Sequence, residues 1–479
     1  MIGRFSMSDT VLRFAPSPTG GFHVGNARTA IFNHLYAKHY QAKLLLRVED
    51  TDRERFTESS LQTILDGLNW LGVDFDAEPV FQSDNVEAHK QAAARLVETG
   101  HAYYGYETAE ELDAMRRQAQ VEKRRVRYDR DLTPEQQAAF EAEGRPRVVR
   151  FKVPAGETVW HDRIRGVQRW DNAEVEDFVL LRPDGSPVYN LAVVVDDHDM
   201  GVNLVLRSAD HLSNTPKQIM LFEALSWMVP EYGHSTLILG PDGSKLSKRH
   251  GATTISEYQE RGFLPDAMFN YLALLGWAPG DEREVFARDE LTGAFSVEGL
   301  LKRDAIFDEK KLVWLNGEHM RLRPVDEVLD DAIPIWVAEG WLTEAEASVR
   351  RDELMKIAEL LQPRLHTLQD LKHTGYFFVD PEGYDAKTAK KNWKTDTPER
   401  VQLMIERLED LDSFDEGDIE GVTRTLSGEL GISASRLIHP TRLALCGVGF
   451  GPGLFELMAV FGRETCIRRL KKALEVLGS

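Results

Sequence analysis

Apolar and polar positions change their rhythm along this chain, and the changes mark out its elements. Residues 11–15 form a short apolar run of the kind a buried strand presents. From Val24, the apolar positions Ala27, Ile31 and Leu35 recur on one helix face. Residues 43–48 are a near-continuous apolar run, as expected of a strand in a parallel sheet covered on both faces. Helical periodicity follows at about 58–71 and 86–98, so the chain opens as βαβα and predicts a Rossmann-like sheet with right-handed crossovers. From about 105 a charged helical stretch (107–120) precedes strand-like runs at 148–153 and 159–162, ending near Leu181. The α/β pattern resumes at 188–198, with a strand at 204–207, a helix at 215–227 and a strand-like run at 236–239. Helices are expected near 255–261 and 265–275, with 312–316 closing that stretch. From about Arg323 to Ser479 the pattern is almost wholly helical, as in the repeat of Leu354, Ile357, Ala358 and Leu361. No internal repeat or low-complexity segment interrupts it.

Size and charge narrow the class. At 479 residues the chain is expected to hold about three domains. A hydrophobic fraction of 42% and a charged fraction of 28% mark a globular protein, and no apolar run has the length of a membrane span. The segment Met1–Ser6 lacks a secretory signal's apolar stretch, and two cysteines, Cys446 and Cys466, build no disulfide framework. Buried thiols and a cytoplasmic compartment are the expectation. A net charge of −20 argues mildly against nucleic-acid binding, but only a local basic face is needed, so charge leaves that question open.

Two stretches carry the chemistry. In Arg13-Phe14-Ala15-Pro16-Ser17-Pro18-Thr19-Gly20-Gly21-Phe22-His23-Val24-Gly25-Asn26, prolines and glycines force an irregular turn between strand and helix. A Gly-rich turn before a helix N-terminus is an anion site, and His23 and Asn26 add side-chain donors. It is neither a Walker loop nor a G-x-G-x-x-G turn, and alone it reads equally as an ordinary connection with a surface histidine. The second stretch is Leu239-Gly240-Pro241-Asp242-Gly243-Ser244-Lys245-Leu246-Ser247-Lys248-Arg249-His250-Gly251. It is either a mobile cationic loop or a solvated turn. A polar cluster at 47–54 follows the second strand, where open α/β sheets bind ligands.

Jointly, His23-Val24-Gly25-Asn26 and Lys245-Leu246-Ser247-Lys248-Arg249 resemble the two nucleotide-binding motifs of class I aminoacyl-tRNA synthetases, HIGH and KMSKS. Their order, spacing and flanks are similar to those of the bacterial glutamyl-tRNA synthetase family, through essentially the whole chain. The resemblance implies a Rossmann-like catalytic domain (1–104 and 188–238) split by an α+β insertion that holds the tRNA acceptor end (105–187). A stem-contact domain with the Lys-rich loop (239–322) and an all-α anticodon-binding domain (323–479) complete it. The implied activity is ATP-dependent formation of glutamyl-adenylate, with transfer to the 3′-terminal ribose of tRNA(Glu). A non-discriminating enzyme that also loads tRNA(Gln) is the alternative. The family also requires tRNA before glutamate is activated.

Attack of a carboxylate on the α-phosphate needs negative charge neutralised, with little covalent help from the protein. His23, Lys245 and Lys248 are the expected catalytic groups, and Pro16, Gly20, Gly25, Asn26 and Ser247 complete the expected ATP site, with Mg2+ on the nucleotide. The resemblance implies a glutamate pocket at Arg13, Ala15, Ser17, Glu49, Tyr189 and Arg207, with Glu49 on the α-amino group. Arginine suits a side-chain carboxylate because its planar fork binds in two parallel hydrogen bonds. The other reading of Arg13 and Arg207 is structural ion pairing, for instance with Glu49 and Asp50, and of Tyr189 a core tyrosine. Arg124 and Arg125, in the basic run 123–130, are tRNA contacts or a solvated helix face. Arg364 and His366, in 363–367, are anticodon-side contacts or an ordinary helix-to-helix turn. Asn26 stands where the first motif usually has a second histidine, and Ser208-Ala209-Asp210-His211 replaces a more acidic run. With no cysteine before Cys446, a thiolate zinc site is not expected in the insertion. A monomer is expected.

Overall fold

The computed structural model describes residues 9–51, 56–251 and 253–478, with Lys248 described in its backbone only. The polar cluster at 47–54 is thus described only as far as Thr51, and Met1–Ser6 lies outside the described residues. The chain divides into two compact units, residues 1–260 with 265–309, and 261–264 with 310–479.

In the first unit, β1 (Val11–Phe14) pairs in parallel with β2 (Lys43–Val48), setting Arg13 opposite Leu45, and β2 pairs with β3 (Val80–Phe81). Helix α1 (Val24–Tyr40) makes the first crossover, and its Ala27, Ile31 and Leu35 are fully buried. Helices α2 (Glu58–Trp70) and α3 (Val86–Glu98) follow. Thr57 caps α2 by accepting the Ser60 N–H, which satisfies one of the helix's orphan donors.

The next stretch holds β4 (Ala102–Gly105), α4 (Ala109–Val121), α5 (Pro134–Ala142), β5 (Val148–Phe151), β6 (Glu157–Asp162), β7 (Gly166–Asp171) and β8 (Val179–Leu181). Strands β4, β5 and β8 form an antiparallel sheet, while β6 and β7 form a hairpin. Both helices start on capping boxes, Thr108 with Glu111 and Thr133 with Gln136. The basic run 123–130 lies beyond the end of α4 in irregular chain, so it is not a helix face.

Residues 189–199 are helix α6 (Tyr189–Asp199), whose valines are buried on several faces; packing overrides their β-branched preference. It leads into β9 (Leu204–Ser208), α7 (Thr215–Ala224) and β10 (Glu231–Ser235), with β9 and β10 parallel and Arg207 opposite His234. Asn203 stitches β9 to β1, its side-chain oxygen accepting the Val11 N–H at 2.9 Å and its own N–H donating to the Val11 carbonyl at 3.1 Å. Two parallel sets, β3-β2-β1 and β9-β10, therefore meet at β1 and β9 through Asn203, and the winding reverses there. Strand β6 extends the row beyond β10, pairing at Asp162 and Tyr232.

The run expected as a strand at 236–239 contributes only β11 (Ile238–Leu239), which pairs with β12 (Ala305–Ile306). Helices α8 (Ile255–Glu260), α9 (Pro265–Leu274) and α10 (Arg288–Ala294) complete this unit. Residues 312–316, expected to close the same stretch, lie instead inside the helix Glu309–Leu322, within the second unit.

That second unit is helical. Leu354, Ile357, Ala358 and Leu361 form the buried stripe of the helix Arg351–Leu361, as their spacing requires. The last helix, Leu454–Leu477, is kinked at Gly462, whose φ of 75° lies in the left-handed region. Cys446 and Cys466 are buried free thiols, pushed up to about 12 by burial. Among the described residues no helix is long and apolar enough to cross a membrane.

Candidate active site

Two adjoining cavities open at the carboxyl ends of β1, β2 and β9 and share Asn26, Ser208 and His211 as walls. Ligands of open α/β sheets sit at this edge, where the winding reverses. The chain is sewn together here. The Glu49 N–H donates to the Pro16 carbonyl at 2.9 Å, and the Ser17 hydroxyl donates to the Glu49 carbonyl at 3.1 Å. Past the turn, the Val24 N–H donates to the Thr253 carbonyl and the Ile255 N–H to the Phe22 carbonyl, each at 2.9 Å. The Gly-rich turn and the segment after the Lys-rich loop are therefore neighbours joined through their backbones. Phe22 beds against Gly67 of α2, where a Cβ would come within 2.5 Å of its ring.

The smaller cavity, about 230 Å³, is lined by all six residues expected at a glutamate site: Arg13, Ala15, Ser17, Glu49, Tyr189 and Arg207. Its charges are held by a buried network. Arg13 Nε donates to Asp197 Oδ1 at 3.1 Å, Arg47 Nη1 donates to the same oxygen, and Arg47 Nη2 donates to Glu49 Oε1 at 3.2 Å. Burial would raise the Asp197 carboxyl, but Arg13 and Arg47 outweigh it and hold the group below the usual carboxylate range. For Glu49 burial wins over Arg47 and Arg13, and its carboxyl is shifted upward. Tyr189 is pushed up to about 12 by burial and the nearby Glu49, and its hydroxyl lies 3.0 Å from His211 Nδ1. His211, lowered to about 4 by burial and the pocket arginines, is neutral near pH 7.

Arg207 is held differently. It is 5% exposed, its Nε donates to His234 Nε2 at 3.1 Å, and its Nη2 donates to Thr215 Oγ1 at 2.9 Å. No carboxylate among the described residues bonds to it, and its Nη1 has no partner. A buried guanidinium at a cavity wall with no carboxylate bound to it is suited to receive an anion, because leaving it unpaired is costly.

The larger cavity, about 420 Å³, is lined by His23, Gly25, Asn26, Lys245 and Ser247 of the expected nucleotide site. Helix α1 has His23 as its N-cap without a side-chain cap, and with the Val24 N–H taken by Thr253 the amides of Gly25 and Asn26 are those left for a ligand. Lys245 Nζ lies 2.6 Å from Asp210 Oδ2, an exposed ion pair at this cavity. Arg249 pairs with Asp242. The Lys248 side chain lies outside the described residues. Pro16 lines the smaller cavity and Gly20 lines neither.

The residue pattern does not single out three side chains here. Arg28, fully buried against the larger cavity, donates through Nη1 to the Leu275 carbonyl at 2.9 Å and through Nη2 to the Thr236 carbonyl. Burial lowers it to about 10, so it stays charged. Gly276, at φ +112°, lets the chain pass Arg28, since a Cβ there would lie 3.2 Å from its Nη1. Asp197 and His234 were also passed over, whereas Arg47 belongs to the polar cluster expected at 47–54. The partners of Asp197 and His234 stand far away in sequence, and only Arg28, in the otherwise apolar start of α1, gave a local hint.

Arg124 and Arg125 are exposed and line a separate basic cleft. Arg124 pairs with Glu122. Arg364 and His366 are exposed in the second unit, just past the helix Arg351–Leu361.

Comparison with known proteins gives the class. A model of the catalytic domain of class I tRNA synthetases (E and Q) matches residues 9–314, and a model of an anticodon binding domain matches residues 327–474. The chain therefore belongs to the class I aminoacyl-tRNA synthetases. It is 43% identical over 477 residues to glutamate–tRNA ligase 1 of Caldanaerobacter subterraneus, covering 98% of both chains. It is also 43% identical over 477 residues to glutamate–tRNA ligase 1 of Methylorubrum extorquens, covering 98% of this chain and 99% of that one. Among structures, it matches a glutamate tRNA ligase of Elizabethkingia meningosepticum, crystallised in complex with its amino acid, with a TM-score of 0.88. The two are 31% identical, and the match covers 98% of this chain and 100% of that one. Within the class, it is a glutamate–tRNA ligase.

Proposed function

We propose that the smaller cavity binds glutamate and the larger one ATP, so that the amino acid's α-carboxylate attacks the α-phosphate where the two meet. Glutamyl-adenylate and pyrophosphate form, and the acyl group then passes to the 3′-terminal ribose of tRNA(Glu) with AMP as the leaving group. The observation that carries this reading is Arg207, a buried cation that lines the cavity without a bonded carboxylate among the described residues. A side-chain carboxylate completes it, and Arg13 adds a second cation at the same cavity. Glu49 takes the α-amino group. His23, Arg28, Lys245 and the Gly25 and Asn26 amides of α1 stabilise the charge that develops on the triphosphate. Lys248 adds the second positive charge expected of the loop. Mg2+ is usual with the nucleotide in this class. The described residues hold no cluster of three His, Cys, Asp or Glu side chains to bind a metal on their own.

In this reading 1–104 and 188–238 are the catalytic domain, 105–187 holds the acceptor end, 239–322 contacts the stem and 323–479 binds the anticodon. Arg124, Arg125, Arg364 and His366 are tRNA contacts, and the enzyme is a cytoplasmic monomer. The helical second unit favours the glutamate over the glutamine branch, whose members usually carry β-barrels there.

The test is purified enzyme charging tRNA(Glu) and tRNA(Gln) with glutamate and with glutamine, together with ATP–pyrophosphate exchange with and without tRNA. Glutamate on tRNA(Glu) alone supports the discriminating enzyme, and glutamate on both supports the non-discriminating one. Exchange without tRNA would contradict tRNA-dependent activation.

A further inference from the structure

Arg207 is anchored by a chain of buried groups that do not line the cavity. Its Nε donates to His234 Nε2, and the Thr215 hydroxyl lies 3.0 Å from the same ring nitrogen. The opposite nitrogen, His234 Nδ1, lies 2.5 Å from Asp162 Oδ2. Both His234 and Asp162 are 0% exposed. Asp162 Oδ1 also accepts the backbone N–H groups of Ile164, Arg165 and His234, at 3.0, 2.9 and 3.1 Å.

Donor inventory fixes the protons. A guanidinium only donates, so His234 Nε2 must accept from Arg207. Asp162 is surrounded by donors and is ionised, so the ring proton sits on Nδ1, and the ring is neutral in a single tautomer. Burial, which disfavours the charged ring, and Asp162, whose carboxyl is held below its usual range, agree with that state.

The contrast with Arg13 shows what this achieves. Arg13 is oriented by Asp197, a carboxylate that it shares with Arg47 and that offsets part of its charge. Arg207 is oriented by a neutral acceptor, which fixes the fork and leaves the full positive charge for a ligand. We propose that His234, held in one tautomer by Asp162, is the positioning residue that aims Arg207 at the substrate's side-chain carboxylate and so sets selection of glutamate over glutamine. This rests on the reading of the smaller cavity as the glutamate site.

The test compares His234→Leu, His234→Gln and Asp162→Asn in the full-length enzyme, measuring KM for glutamate and for ATP and the glutamate-over-glutamine charging ratio. Gln keeps an acceptor for Arg207 and a donor for Asp162, whereas Asn at 162 presents a donor to Nδ1 and moves the ring proton to Nε2, against Arg207. His234→Leu and Asp162→Asn are expected to raise KM for glutamate about 10- to 100-fold and to lower the charging ratio in step. KM for ATP should stay within about two-fold, and His234→Gln should recover most of the loss. Equal changes in both KM values, an unchanged KM for glutamate, or His234→Gln no better than Asp162→Asn would overturn the proposal. Should His234→Leu not fold, the other two variants decide by the same criteria. Wild-type enzyme that charges no glutamate would overturn both this proposal and the reading beneath it, whereas the outcomes above overturn this one alone.

Discussion

The two cavities of the first unit share three wall residues yet manage charge in opposite ways. At the smaller one the charges are buried, each side chain is fixed by several others, and Arg47 and Asp197 bind the ends of β1, β2 and α6 together. At the larger one the charges are mostly exposed, on turns, and Lys245 pairs with Asp210. Selecting one amino acid from close relatives requires donors whose positions are fixed in advance, since an unpaired buried donor rejects the wrong ligand. Neutralising a triphosphate that must later leave as pyrophosphate suits weakly held, solvent-accessible cations. Precision lies on one side of the shared wall and exchangeable charge on the other.

The comparison breaks most sharply at Arg207. Arg207→Ala is expected to lower kcat/KM for glutamate on the order of 10²–10³-fold, since it removes a desolvated charge contact, while KM for ATP changes little. Steady-state kinetics with each substrate varied in turn checks this.

Asp197→Asn comes next, because it leaves two buried arginines without their shared anion. Loss of roughly 3 kcal/mol of stability is expected in denaturant unfolding, with a raised KM for glutamate. Its pH dependence has a definite sign. The folded Asp197 carboxyl lies below its unfolded value of about 3.9, so its contribution is complete above that pH and is lost as pH falls through the folded value. The Asn variant should therefore show a flatter loss of stability below about pH 4.

A smaller effect, roughly 10-fold in the activation step, is expected for Lys245→Ala, with KM for glutamate unchanged. Asp210→Ala, which releases Lys245, should change the salt dependence of KM for ATP more than its value, as befits an exposed pair. Arg125→Ala is expected to do least. It should weaken tRNA binding only a few-fold and make its salt dependence shallower by about one unit, in a filter-binding titration against salt.

Local signals carried much of the architecture. The expected strand at 43–48 and helix at 86–98 match β2 and α3 to the residue, since a continuous apolar run and a clean 3.6-residue stripe have few other solutions. All six pocket residues assigned by resemblance line one cavity. What stayed hidden depends on contacts across the fold. Strand β10, Glu231–Ser235, offers no alternation, because both of its faces are covered. Asp197 and Arg47 are 150 residues apart, and Asp162 and His234 are separated by 72, so neither pairing leaves a trace in spacing. Arg28 reads as a surface cation until Gly276 and the Thr236 carbonyl close over it.

A crystal structure with an uncleavable glutamyl-adenylate analogue tests the division most directly. The side-chain carboxylate should lie within hydrogen-bond distance of Arg207 Nη1, with the phosphate between His23 and Lys245. An analogue whose carboxylate leaves Arg207 Nη1 unpartnered, or whose adenosine lies outside the larger cavity, would contradict it.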